Sequence, residues 1–143
     1  MEKQSFANHT QIVKGFLALL GVIVLSMIGS GVNLYKSWGD HERFYSAALL
    51  FVVMWVVLFV AFYGRAFALK AQDRAIRAEE NLRHFAMTGK LMDPRLTIRQ
   101  VIGLRFASDG EFLELAKKAA ETGMSEVDIK KAVKDWRGDY YRA

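Results

Sequence analysis

Few residues in this chain are of a type and spacing that could do chemistry. Histidine occurs at His9, His41 and His84, in three separate regions, with no paired-histidine metal motif. Asp40-His41-Glu42 could hold a cation or titrate near neutrality, although a solvated turn accounts for it as well. Asp73, Glu79 and Glu80 form an acidic cluster, but each has a basic residue four positions on: Arg77, Arg83 and His84. Acid-first pairs at that spacing support a helix, so pairing is expected ahead of metal binding. There is no cysteine, which removes thiolate zinc, disulfides and thiol catalysis. Gly29-x-Gly31 has no strand-to-helix context, and neither a P-loop nor a nucleophile elbow is present. No cofactor, metal or catalytic set is therefore expected, and the protein reads as a non-enzyme.

One local pattern points to a different chemistry. Ala119, Gly123 and Ile129 match the spacing of a helix-turn-helix, in which a small residue lets two helices cross, glycine turns the chain and an aliphatic closes the core. The second helix would carry Lys130, Lys131, Lys134 and Arg137, but also Glu126, Asp128 and Asp135. From Phe106 to Ala143 there are seven basic against eight acidic residues. That is a poor footprint for phosphates and disfavours nucleic acid as a partner.

The elements that carry these residues follow from a segregation of charge. The chain has 143 residues, 52% hydrophobic and 24% charged, with a net charge of +5. Gly15–Tyr35 and Phe44–Gly64 are two stretches of 21 residues without Asp, Glu, Lys or Arg, so the remainder is about 35% charged. As a helix, each stretch is about 31 Å long, against a hydrocarbon core of roughly 30 Å. Aromatic residues crowd the ends (Tyr35, Trp38, Phe44 and Tyr45 at one, Phe62, Tyr63 and Phe67 at the other), as they do at headgroup level. The first stretch is too long for the apolar region of a cleaved signal peptide.

The eight-residue connection Lys36–Arg43 forces an antiparallel hairpin. Seven Lys/Arg flank the spans on the side of the termini against two in the connection, which places both termini in the cytoplasm. On the first span, Gly15, Ala18, Val22, Ser26, Gly29 and Asn33 share an arc of about 80°. This small, polar face can pack on the second span through Ser46, Ala47, Met54 and Ala61, or on another subunit.

Beyond Gly64, good helix formers continue to Thr88-Gly89, so a stalk is expected. Its apolar strip Ala75, Ala78, Leu82, Phe85 and Ala86 is expected to receive the domain that follows. Thr97 caps a helix over Ile98–Phe106. Ser108 and Glu111 form a capping-box pattern opening Asp109–Thr122, and Ser125 opens Glu126–Trp136. Nine basic and four acidic residues between Arg65 and Arg105 put the positive charge beside the membrane. Arg65, Lys70, Arg74 and Arg77 are candidates for anionic headgroups. Trp136, Tyr140 and Tyr141 are candidates for docking a partner.

The segments FALKAQDRAIRAEENLRHF, DPRLTIRQVIGLRFASD and IKKAVKDWRGDYYR resemble a family of small bacterial two-span inner-membrane proteins of unknown function. The resemblance covers nearly the whole chain. It implies a bacterial origin and the same architecture, and it brings no activity, substrate or catalytic residue.

The expected protein is an all-α membrane protein. A cytoplasmic segment (1–14) precedes a hairpin (15–64), a juxtamembrane stalk (65–90) and a three-helix cytoplasmic domain (91–143). Its expected role is an inner-membrane scaffold or accessory subunit, with the lipid bilayer as partner, either homo-oligomeric or part of a membrane complex. The alternative is a membrane-anchored helix-turn-helix regulator.

Overall fold

The computed structural model describes residues 4–10 and 12–140. They contain five helices and no strand: α1 (Lys14–Lys36), α2 (His41–Thr88), α3 (Ile98–Leu104), α4 (Asp109–Thr122) and α5 (Glu126–Ala132). The chain divides into two compact units, Ile12–Ala68 on one hand and Met1–Gln11 with Leu69–Ala143 on the other. Helix α2 contributes its first part to one and its last part to the other.

The first unit is an antiparallel hairpin of two helices, each long and apolar enough to cross a membrane. Its inner seam repeats at alternating three- and four-residue steps. On α1 it runs through Phe16, Leu20, Ile23, Met27, Ser30 and Leu34, and on α2 through Phe44, Ala47, Phe51, Met54, Leu58 and Ala61. Side chains on such a repeat stay on one side of the helix along its length. The Phe51 ring comes to 3.6 Å from where a side chain on Gly31 would begin, and Arg65 lies 5.6 Å from the Phe16 ring centre.

The connection is tighter than the charge pattern implied. Both helices run into their charged flanks, leaving only residues 37–40 between them. Gly39 takes the left-handed φ of 95° that this turn needs. Asp40 caps α2 by accepting the Arg43 N–H at 3.2 Å and pairs with the Arg43 side chain at 3.3 Å. The carboxylate of the Asp40-His41-Glu42 sequence is thus a helix cap.

The second unit is built around α3, α4 and α5. Its core holds Leu104, Phe106, Phe112, Ala119 and Ile129, all fully buried. Thr97 and Gln100 form a complete capping box at the start of α3. The buried Gln100 amide then donates to the carbonyls of Ala119 (3.1 Å) and Met124 (3.0 Å). One side chain therefore caps α3 and ties down the turn after α4. Gly123 ends α4 with φ 65°, and Ser125 caps α5 by accepting the Asp128 N–H. In the turn before α3, hydrogen bonds from the Arg95 guanidinium, joined by one from its backbone N–H, hold the pKa of the Asp93 carboxyl down to about 2.

Three expected features differ. Helix α3 ends at Leu104, two residues short of Phe106. The Ser108 side chain makes no cap bond and its N–H donates to the Asp135 carbonyl at 3.1 Å, while the Glu111 carboxylate points elsewhere. It accepts the backbone N–H groups of Lys134 (3.1 Å) and Asp135 (3.0 Å). Those amides are then lost to helix, so α5 stops at Ala132 instead of Trp136. Residues after Val133 run extended beside Phe106–Ser108, with Arg137 N–H on the Phe106 carbonyl at 2.8 Å.

Replacing Gln100 with Ala removes the acceptor of the Thr97 N–H and the side-chain donor to the Ala119 and Met124 carbonyls, of which Ala119 keeps the Gly123 N–H. At about 1–3 kcal/mol per orphaned group, the domain should lose roughly 2–4 kcal/mol. Hydrogen exchange should accelerate in α3 and the Gly123 turn and leave the α1–α2 seam unchanged.

Candidate functional site

In the second unit, the last turns of α2 meet the helical domain through charge. Glu80 and Arg83 both lie on the docked face, with side chains only 6% and 11% exposed. The Arg83 guanidinium donates to Glu80 at 3.0 Å and to the Asp109 carboxylate at 2.6 and 2.8 Å. It also donates to the Ala107 carbonyl at 2.8 Å and lies 4.2 Å from the centre of the Phe112 ring. A planar five-donor group suits this many-sided contact, and an ammonium does not. Arg137 reaches the other Glu80 oxygen at 3.7 Å. Around this cluster, Ile76 is buried, Asn81 accepts the Met92 N–H and Arg77 donates to the Leu96 carbonyl.

This arrangement corrects the expected docking strip. Ala75, Ala78, Leu82, Phe85 and Ala86 are all exposed, Leu82 by 68% and Phe85 by 51%. At 100° per residue they lie on the far side of the helix from Ile76, Glu80 and Arg83. The acid-first pairs also resolve differently. Arg83 turns to Glu80 and Asp109, Arg77 to Leu96, and the His84 Nδ1 shares a 2.7 Å hydrogen bond with the Lys90 carbonyl. Asp109 and Leu96 are tertiary partners, whereas Glu80 and Lys90 lie within six residues of the groups they pair with.

Beside the cluster is a cavity of about 720 Å³ lined by Gln72, Glu79, Glu80, Arg105, Arg137 and Tyr140, among others. Of its charges, Arg105 pairs with Asp139 at 2.9 Å and Arg137 with Glu80, whereas Glu79 is in no ion pair among the described residues. Among the described residues no three of His, Cys, Asp and Glu converge as metal ligands do.

A contact invisible in the sequence closes this unit. Gln4 exchanges two hydrogen bonds with the Asp139 backbone, at 2.9 and 3.1 Å. His9 then packs on Phe106 and Trp136, with ring centres 5.8 and 5.7 Å apart. The partners are 135 positions apart, and no local pattern announces them. Trp136, a candidate for docking a partner, is half-buried against Phe106 at 4.9 Å and His9. Tyr140 is exposed, and Tyr141 lies outside the described residues. Ala119, Gly123 and Ile129 do form the tight turn between α4 and α5, the two side chains fully buried. The would-be reading helix has seven residues, however. Its Lys130 is bonded to Glu126 at 2.7 Å, and Lys131 lies 5.7 Å from the Phe6 ring centre.

In the hairpin unit, Gly15, Ala18, Val22, Ser26, Gly29 and Asn33 are all exposed. They face away from α2, whose seam is taken by the larger residues of α1. A side-chain carbon added at Gly15 or Gly29 would meet nothing within 4 Å. Packing of this face inside the hairpin is thereby overturned: Phe16, Leu20 and Ile23 fill that space. Of the four α2 residues expected opposite it, Ala47, Met54 and Ala61 line the inner seam and Ser46 is exposed.

Arg83→Ala should uncouple the end of α2 from the domain. Removing one member of a buried charge pair typically costs 3–5 kcal/mol, and about 3 kcal/mol is expected here because Arg137 still offsets Glu80. Limited proteolysis should then cut within residues 88–97, and Arg83→Lys should restore only part of the resistance.

No curated protein and no solved structure matches the chain. A family model does match, over residues 1–143, and the protein belongs to that family, the family of unknown function DUF6526.

Proposed function

We propose that this protein is a non-enzymatic scaffold or accessory subunit of the bacterial inner membrane. Its hairpin inserts in the bilayer, and its helical domain is presented in the cytoplasm. Both helices of the hairpin have the length for this, and most of their large apolar side chains point outward. In water that much exposed apolar surface is untenable, whereas in lipid it is the solvated surface. Lys/Arg counts support cytoplasmic termini. Arg65, Lys70, Arg74 and Arg77 follow the second span, where each basic residue near anionic headgroups contributes roughly 1 kcal/mol. Arg77 shares its guanidinium with the Leu96 carbonyl.

The observation that carries the assembly role is the outward placement of Gly15, Ala18, Val22, Ser26, Gly29 and Asn33. Small residues let another helix approach closely. The Asn33 amide, exposed on the same face, is costly against hydrocarbon and is satisfied by a partner helix. The partner is a second copy or another membrane subunit.

Two measurements test this reading. A C-terminal reporter active only outside the cytoplasm should stay silent; signal from it would reverse the orientation. In mild detergent the protein should have a mass above the monomer, and Gly29→Leu should lower it. A Cβ at this exposed position meets nothing within 4 Å and the position faces away from α2, so a changed mass does not come from a disrupted hairpin seam. An unchanged mass would remove this face from assembly.

A further inference from the structure

The strip on the last turns of α2 is left uncovered by the domain that was expected to sit on it. Ala71, Ala75, Ala78, Leu82 and Phe85 follow one another at steps of four, three, four and three, and all are exposed. Steps alternating in this way keep the side chains within an arc of about 80° along a coiled-coil seam. The strip is centred about 145° around the helix from Ile76, Glu80 and Arg83; its Ala75 and the flanking Glu79 border the cavity beside the docked domain but are exposed, and Leu82 and Phe85 lie clear of it. It ends in two large apolar side chains, Leu82 and Phe85, more than half exposed. An apolar line of this kind in water calls for a covering partner.

The flanking charges say which partner. With Ala75 and Leu82 at the a positions and Ala71, Ala78 and Phe85 at the d positions, Arg74 falls at g and Glu79 at e. In a parallel, in-register pair, a g residue meets the e residue five positions further along the other helix. Arg74 of one helix then faces Glu79 of the second, and the two-fold repeats the pair. An antiparallel pair sets g against g and e against e, bringing like charges together. Neither Arg74 nor Glu79 takes part in an ion pair among the described residues, because Arg83, the local candidate for Glu79, is committed to Glu80 and Asp109.

We propose that residues 71–85 of α2 form a parallel, two-stranded coiled coil with a second copy of this chain. About two heptads rich in alanine are too short to hold together in dilute water. Two copies anchored in one bilayer already share an orientation, and tethering raises their effective concentration. In that respect the inference rests on the scaffold reading above. It involves a different surface from the Gly15–Asn33 face, and it takes Arg74 out of the headgroup set.

The chain has no native cysteine, so single cysteines report contacts without background. Full-length Ala78→Cys and Leu82→Cys proteins, oxidised in native membranes, should give disulfide-linked dimers. Lys117→Cys, on the exposed side of α4, should not. In the Ala78→Cys protein, either Arg74→Glu or Glu79→Arg should lower the dimer yield several-fold, and the two together should restore it. Equal cross-linking at Lys117→Cys, or a yield indifferent to charge reversal, would overturn the proposal. No cross-link at 78 or 82, in a protein whose mass exceeds the monomer and still falls with Gly29→Leu, would overturn the coiled coil and leave the scaffold standing. A monomeric protein without cross-links would remove both.

Discussion

The Arg83 guanidinium joins pieces of chain that lie far apart in sequence. It neutralises Glu80 one turn back, holds the Asp109 carboxylate at the start of α4 and takes the Ala107 carbonyl in the connection between α3 and α4. Its flat face lies on Phe112, a fully buried core ring. Burying two charges is costly, and hydrogen bonds to both ions must satisfy their remaining valences. The reach of this one side chain therefore sets where the domain sits on α2. The inner face of the helix follows from it: Ile76, Glu80 and Arg83 inward, Asn81 and Arg77 reaching around to Met92 and Leu96.

The same dependence extends to the far end of the chain. Arg137 contributes to Glu80 from the extended segment that Glu111 holds out of α5. That segment carries Trp136 to Phe106, and Asp139 to Arg105 and Gln4. A carboxylate at the start of α4 thus determines where α5 ends, and the released residues line the cavity beside the cluster. The N-terminal strap covers what remains of Phe106 with His9. Each of these contacts joins residues far apart in the sequence.

That explains which features were legible in the sequence. Helices and their ends were, because caps and charge-free runs act within a few residues. Thr97, Gly123 and Ser125 mark boundaries where the structure has them, and the start and end of α4 agree residue for residue. The docking of α2 was not legible. Periodicity locates an apolar face and expects it to be buried, and here the buried face is charged. Glu111 misled in a similar way: its spacing from Ser108 is that of a capping box, but two free amides in the extended segment compete for the same carboxylate. The Gly15–Asn33 face could be seen in the sequence as a face. Its direction depended on whether small or large residues fill the α1–α2 seam, and Phe16, Leu20 and Ile23 settle that by bulk.

A charged docking surface leaves an apolar one vacant, and the two belong together. Had the domain buried Leu82 and Phe85, hydrophobic contact would have held it with little need for Arg83, and the helix would have presented a polar exterior. With the domain held by directional hydrogen bonds, the apolar line stays outside, where contact is non-directional and its register must be set by flanking charge. Arg74 and Glu79 stand where such charges belong. The hairpin repeats the division: bulky residues close the inner seam, and the small residues remain on the outer surface of α1. In both units the interactions within the chain use the groups that fix geometry and leave exposed the groups that favour association.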